Sequence, residues 1–141
     1  MKYSVKLSDA VHILTYIYFS DLSTITSKDI AFSIKTNPSY VRQLMSAMKK
    51  SGIISNSQGK AAPTLSKSPQ DISLLDIYQA VEGNKPLLHL DTHINPECGI
   101  GVNIQYVLKN TYEDIQNSIN QNLASISLQS LFNDYQKRLS S

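Results

Sequence analysis

Apolar residues recur at helical spacing in six stretches of the chain. Leu7, Ala10, Val11, Leu14, Ile17 and Tyr18 form a stripe on a helix from Ser4 to Phe19, with Ser8 in or capping its first turn. A loop over Asp21–Thr26 leads to a second helix, Ser27 to Ile34, with apolar Ile30, Ala31 and Ile34. Thr26 or Ser27 is its cap and Asp29 sits favourably near its N-terminus. Asn37 then stands at an N-cap position and Pro38 at the first helical position. Val41, Leu44, Met45 and Met48 follow at i, i+3, i+4, i+7, one buried stripe that Gly52 ends. A short helix, a tight turn and a second helix with a polar outer face predict a helix-turn-helix.

After Gly52 the period changes. Ile53–Asn56 reads as a strand, Ser57–Lys60 as a turn and Ala61–Ser66 as a returning strand, with Pro63 consistent only with an edge. Such a hairpin, directly after the second helix, is a wing. Ser68–Glu82 is the next helix, with Asp71 near its start, a stripe of Ile72, Leu75, Ile77, Tyr78 and Val81, and Gly83 as its stop. Asn84–Gly101 is a loop. From Val102 to about Leu123 runs a long helix on which Ile104, Leu108, Tyr112, Ile115, Ile119 and Leu123 repeat. A last helix, Ser127–Lys137, carries Leu128, Leu131, Phe132 and Tyr135. The expected fold is mainly α with a small β-hairpin wing: a winged helix-turn-helix over residues 1–83, an effector or sensor loop over 84–101, and a dimerisation helix with the C-terminal helix over 102–141. The long stripe, in a chain too small to bury it, calls for a partner helix, namely the same helix of a second copy; the alternative is a helix folded back on its own domain.

The face of the second helix-turn-helix element opposite its apolar stripe is Ser39, Arg42, Gln43, Ser46, Lys49 and Lys50. It has no acid, and its groups suit phosphates or base edges. Ser27 and Tyr40 are further candidates beside it, Tyr40 being equally suited to pack against the first helix, and Gln58 and Lys60 at the wing tip are placed to reach phosphates or a minor groove. An amphipathic helix with a polar face is by itself weak evidence, but charge sharpens the picture. No Asp or Glu occurs between Ala31 and Gln70. The first seventy residues hold nine basic and three acidic side chains, the remainder four basic and eight acidic. A net charge of +2 thus conceals a basic half and an acidic half, the footprint of a nucleic-acid-binding face joined to something else.

Composition limits the other classes. There is one cysteine, Cys98, hence no internal disulfide, and neither an apolar run long enough for a membrane span nor a signal-peptide core, so a cytoplasmic protein is expected. No glycine-rich phosphate loop or recognisable nucleophile motif is present, so an enzyme is not expected. His12 has no ligand pattern around it and reads as structural. His89, His93 and Cys98 match no metal spacing, and no metal or other cofactor is expected.

KLSDAVHIL, TSKDIAFSIKTNPSYVRQLMSAMKKSGII, ISLLDIYQAVEG and NPECGIG together resemble the Rrf2 family of bacterial transcription regulators, the BadM/IscR type, over nearly the whole chain. The resemblance implies a homodimer with a long crossing helix that binds pseudo-palindromic DNA; the leading reading of the whole chain is a homodimeric repressor. Two departures stand out. The wing stretch SNSQGKAAPTL keeps Gly59 but loses the arginine and aromatic pattern of many members. The loop before the long helix keeps one cysteine where cluster-binding members have three, so an iron–sulfur cluster is not expected and the likeness is to the cluster-free branch. Cys98, just before the long helix, has two readings. One is an oxidant- or electrophile-sensing thiol near the dimer axis, since helix N-termini favour the thiolate form. The other is a small, inert relic, and neighbouring Glu97 speaks for it. Two alternatives to a redox-responsive repressor remain: a winged-helix module that binds protein and not DNA, and a regulator whose effector is a small molecule held between the His89–His93 loop and the long helix.

Overall fold

The computed structural model describes residues 3–21, 24–55 and 63–141. Helix α1 (Lys6–Phe19) is followed by α2 (Ser27–Ile34) and α3 (Pro38–Lys50). Strands β1 (Ile54–Ser55) and β2 (Thr64–Leu65) form a two-stranded antiparallel sheet, Ile54 opposite Leu65 and Ser55 opposite Thr64. A single 3-10 turn (Pro69–Asp71) leads to α4 (Leu74–Glu82), and then come the long α5 (Gly99–Ala124) and α6 (Leu128–Ser140). The architecture is the expected one, mainly helical with a small hairpin.

Local chemistry sets most element ends. Thr26, of the two candidates, caps α2: its hydroxyl accepts the Asp29 N–H at 3.2 Å while the Asp29 carboxylate accepts the Thr26 N–H at 3.0 Å, a capping box. Asn37 Oδ1 accepts the Tyr40 N–H at 2.8 Å, with Pro38 at the first helical position of α3. At the far end, Gly52 adopts φ +76° and two backbone bonds close the helix, Ile53 N–H to Met48 O at 2.9 Å and Gly52 N–H to Lys49 O at 3.0 Å. This is a Schellman motif. The same pair of bonds ends α2, from Thr36 to Ala31 O and from Lys35 to Phe32 O, but there the left-handed residue is Lys35, at φ +66°.

The core gathers Ala10, Ile13, Leu14 and Ile17 of α1, Ile30 and Ala31 of α2, Val41, Leu44 and Met48 of α3, Ile53 and Ile54 at β1, and Ile72, Ile77 and Val81 around α4. Leu128 and Phe132 of α6 complete it. The last helix, grouped by sequence pattern with the long helix, therefore packs inside the winged helix-turn-helix body. Phe132 stacks on Tyr18 with centroids 4.7 Å apart and meets Phe19 edge-on at 5.0 Å. A backbone bridge fixes the arrangement: Leu74 N–H donates to Ile126 O and Leu128 N–H to Ile72 O, both at 2.8 Å. The two helix starts are thus tied back to back.

Several expected boundaries shift. The first helix begins at Lys6 rather than Ser4, and Ser8 lies in its first turn without capping it. Ile13, buried, belongs to the stripe where Tyr18 is largely exposed. The helix expected from Ser68 is a 3-10 turn and a break; α4 starts at Leu74 because Ser73 and Asp76 form a capping box there (3.0 and 2.9 Å). The long helix starts three residues early, at Gly99, and the last runs on to Ser140. The first strand begins at Ile54 rather than Ile53, and Pro63 and Ser66 fall outside the second; Asn56, Ala61, Ala62 and the intervening turn, with Gln58 and Lys60, lie outside the described residues. Among the described residues no helix is long and apolar enough to cross a membrane.

Candidate nucleic-acid interface

The amphipathic pattern of α3 fixes which way its side chains face. Val41, Leu44 and Met48 are buried, so Ser39, Arg42, Gln43, Ser46, Lys49 and Lys50 turn outward, and all six are exposed. Arg42 is held in place: its Nη1 donates to Ser27 Oγ at 3.2 Å, joining the outer face of α3 to the first turn of α2. The other guanidinium donors are left for a phosphate or a guanine edge. Lys49 and Lys50 occupy the last turn, where cations also complement the helix dipole.

The acid nearest this edge in sequence is Asp29, and its carboxylate is engaged locally. The backbone and the side chain of Thr26 both donate to it, which holds the Asp29 carboxyl below its usual range. It thus stays ionised as part of the α2 cap. Lys28, exposed beside Ser27, adds a cation. Lys28 is not among the residues singled out from the sequence, where Ser27 is the α2 candidate.

Tyr40 is placed differently from the other candidates. Its ring is partly buried against the core and its hydroxyl donates to Asp9 Oδ2 of α1 at 2.8 Å. Burial first, then the Asp9 hydrogen bond and the Asp9 and Glu82 charges, push its pKa to about 12. Tyr40 therefore positions α3 on α1.

Helix α5 carries no buried residue. Ile104 and Ile115 are exposed, while Leu108, Tyr112, Ile119 and Leu123 are partly covered. At 3.6 residues per turn, Ile100, Ile104, Val107 and Ile115 share a sector of about 80°. Ile100 is 83% exposed and Val107 58%, so the open apolar face extends past the predicted stripe at its N-terminal end. Ile100 is missed when the helix is begun at Val102. Tyr112, about 60° around the helix from this face, lines a cleft against the preceding loop.

Cys98 is the N-cap residue of α5; its side chain makes no capping bond and is exposed. His93 Nδ1 lies 3.6 Å from Asp91 Oδ1.

Comparison with known proteins places this geometry. A family model described as Rrf2, iron-dependent transcriptional regulator, matches residues 3–134. The HTH-type transcriptional regulator YwnA of Bacillus subtilis (strain 168) is 38% identical over 128 residues, 91% of this chain and 95% of YwnA. A crystal structure described as that of a DNA-binding protein aligns with a TM-score of 0.74 at 36% identity, covering 90% of this chain and 98% of that one. CymR of B. subtilis aligns with a TM-score of 0.65 at 20% identity over 93% and 95% of the two chains, and T. potens IscR with 0.65 at 24% over 96% and 88%. At these identities CymR and IscR show a shared fold alone. Iron, in the family description, requires a ligand set. Here there is one cysteine, and among the described residues no three His, Cys, Asp or Glu side chains come together. The described residues do not fit a four-ligand cluster.

Proposed function

We propose, from the premise that this chain belongs to the Rrf2 family of transcriptional regulators, that it is a cytoplasmic homodimeric repressor acting on a pseudo-palindromic operator. It is a DNA-binding regulator and not an enzyme, as its family and its relatives are. The observation that carries the finer reading is the acid-free outer face of α3, with Arg42 braced on Ser27. Arg42 and Gln43 lie in the N-terminal half of the recognition helix, where base edges are reached, and Lys49 and Lys50 further along meet phosphates.

The second half of the reading is assembly. The open face of α5, from Ile100 to Ile115, is covered by the same helix of a second copy, which sets two recognition helices at the spacing of two half-sites, about 34 Å or a multiple. Cys98 sits at the start of that helix, exposed, and serves as the redox-responsive group; no iron–sulfur cluster takes part. The test is a gel shift of the full chain on its own upstream DNA, with Arg42→Ala and Gln43→Ala beside the wild type. A wild-type shift no stronger on that DNA than on scrambled DNA overturns the operator reading.

A further inference from the structure

We propose that the cleft between the 86–92 loop and α5 is a binding site for a free amino acid with an apolar side chain. The cleft has a volume of about 440 Å³, within the ordinary range for small-ligand sites. Leu88, Leu90 and Tyr112 contribute apolar lining to it. Lys109 and Glu113 stand at its helix side, one of each charge. They are four residues apart on α5, but Lys preceding Glu is the poorer order for an intrahelical pair. No ion pair forms between them among the described residues, where the single salt-bridge contact is His93 with Asp91. The cleft therefore presents an unpaired cation and an unpaired anion beside an apolar surface. A simple carboxylic acid meets Glu113 as a like charge, and a simple amine meets Lys109. A zwitterion satisfies both and leaves its side chain for the leucines and the tyrosine.

The loop side of the cleft is not a free strand. The Tyr78 hydroxyl of α4 donates to Lys85 O at 3.3 Å, and the Leu87 N–H donates to Gln116 Oε1 at 2.8 Å. Gln116 is in turn oriented by the hydrogen bond its Nε2 donates to Asn120 Oδ1 at 2.9 Å. The loop is thus strapped to α4 before the cleft and to α5 beside it, and it ends at Cys98 where α5 begins. An occupant braces α5 against the body that carries the recognition helix. That regulatory consequence rests on the DNA-binding reading above; the binding itself does not.

The experiment is a titration of the full chain, without DNA, by saturation-transfer NMR and calorimetry. The probes are L-phenylalanine, 3-phenylpropionate, which lacks the ammonium, and 2-phenylethylamine, which lacks the carboxylate. Saturable binding of L-phenylalanine is expected, with the two truncated compounds weaker. Lys109→Gln and Glu113→Gln, both at exposed positions, each weaken L-phenylalanine by about fivefold, the scale of one exposed charge pair. Glu113→Gln at the same time strengthens 3-phenylpropionate. No saturable binding up to about 10 mM, well above the range of specific ligands, overturns the proposal. So does equal affinity for the three probes, or indifference to both substitutions. Because DNA is absent, failure here leaves the operator reading untouched, and a failed gel shift leaves this one untouched.

Discussion

The phenolic hydroxyl of Tyr40, in the first turn of the recognition helix, donates to the Asp9 carboxylate of α1 across 2.8 Å. This bond ties the start of α3 to α1, beside the packing of Val41, Leu44 and Met48. Tyr40→Phe keeps the ring and removes the bond, so a loss of about 1 kcal/mol is expected. The pH dependence gives a second readout. The Tyr40 pKa is raised in the folded state, from 10.0 to about 12. A raised value means that the stabilisation is complete below pH 10 and is lost as pH rises towards 12. Tyr78 is also raised, by burial first and by the Glu82 charge, so the wild type alone does not isolate the effect. The difference in melting temperature between wild type and Tyr40→Phe should shrink across that window. A constant difference would show that the hydroxyl is not tied to Asp9.

Lys35 holds a left-handed backbone, φ +66°, in the turn of the helix-turn-helix. Its side chain is exposed and makes no contact that glycine would forfeit. Lys35→Gly relieves the Cβ clash at some cost in unfolded-chain entropy, for a net gain of about 0.5–1 kcal/mol. Urea denaturation measures it; an unchanged or lower midpoint would mean the turn is not strained.

Contacts to bases and to phosphates separate in their salt and sequence dependence. Arg42→Ala should cost about 1–3 kcal/mol on the operator and relax preference at one base position. Lys49→Ala should weaken all sequences alike and flatten the salt slope by about one unit. Fluorescence anisotropy at several salt concentrations, on operator and scrambled duplexes, measures both. Equal losses on the two duplexes in both variants would contradict the assignment.

An apolar face open over most of α5 requires a cover. Ile115→Asp places a charge in the proposed interface without disturbing the protomer core, since Ile115 lies outside it. The dimer should weaken by several kcal/mol, the scale of an unpaired buried charge. Sedimentation equilibrium reads the shift, and wild type sedimenting as a monomer at micromolar concentration would sink the dimer.

Cys98 is exposed, so its modification is testable directly. Diamide with glutathione forms the mixed disulfide, the diamide accepting the two electrons and two protons. Operator affinity should fall in wild type and hold in Cys98→Ser. A complete switch requires a shift of about 5.5 kcal/mol between states. Unchanged affinity with Cys98 fully modified by mass spectrometry would remove the thiol from the mechanism.

The sequence by itself determined the helix-turn-helix and which face of its second helix turns outward. Asn37, Pro38 and Gly52 act through backbone groups within a few residues, and the Val41–Met48 stripe leaves one outward face for Arg42, Gln43 and the lysines. Such signals are legible because cause and effect lie on the same turn of chain. The family resemblance could be read for the same reason, its motifs being contiguous.

Tertiary structure alone decided the rest. Periodicity says that Leu128 and Phe132 are covered, not by what; the Ser73–Ser127 bridge sends them to α1 instead of α5. The pattern leaves Tyr40 open between the outer face and the first helix, and only the position of Asp9 on α1 decides for the inward contact. The loop wall of the cleft beside Tyr112 is tied to α5 where the Leu87 amide meets Gln116, a pairing of backbone with a distant side chain that no local spacing encodes. Packing joins residues far apart in the chain, and which of several equally apolar or polar groups meet is settled by the geometry of the whole body.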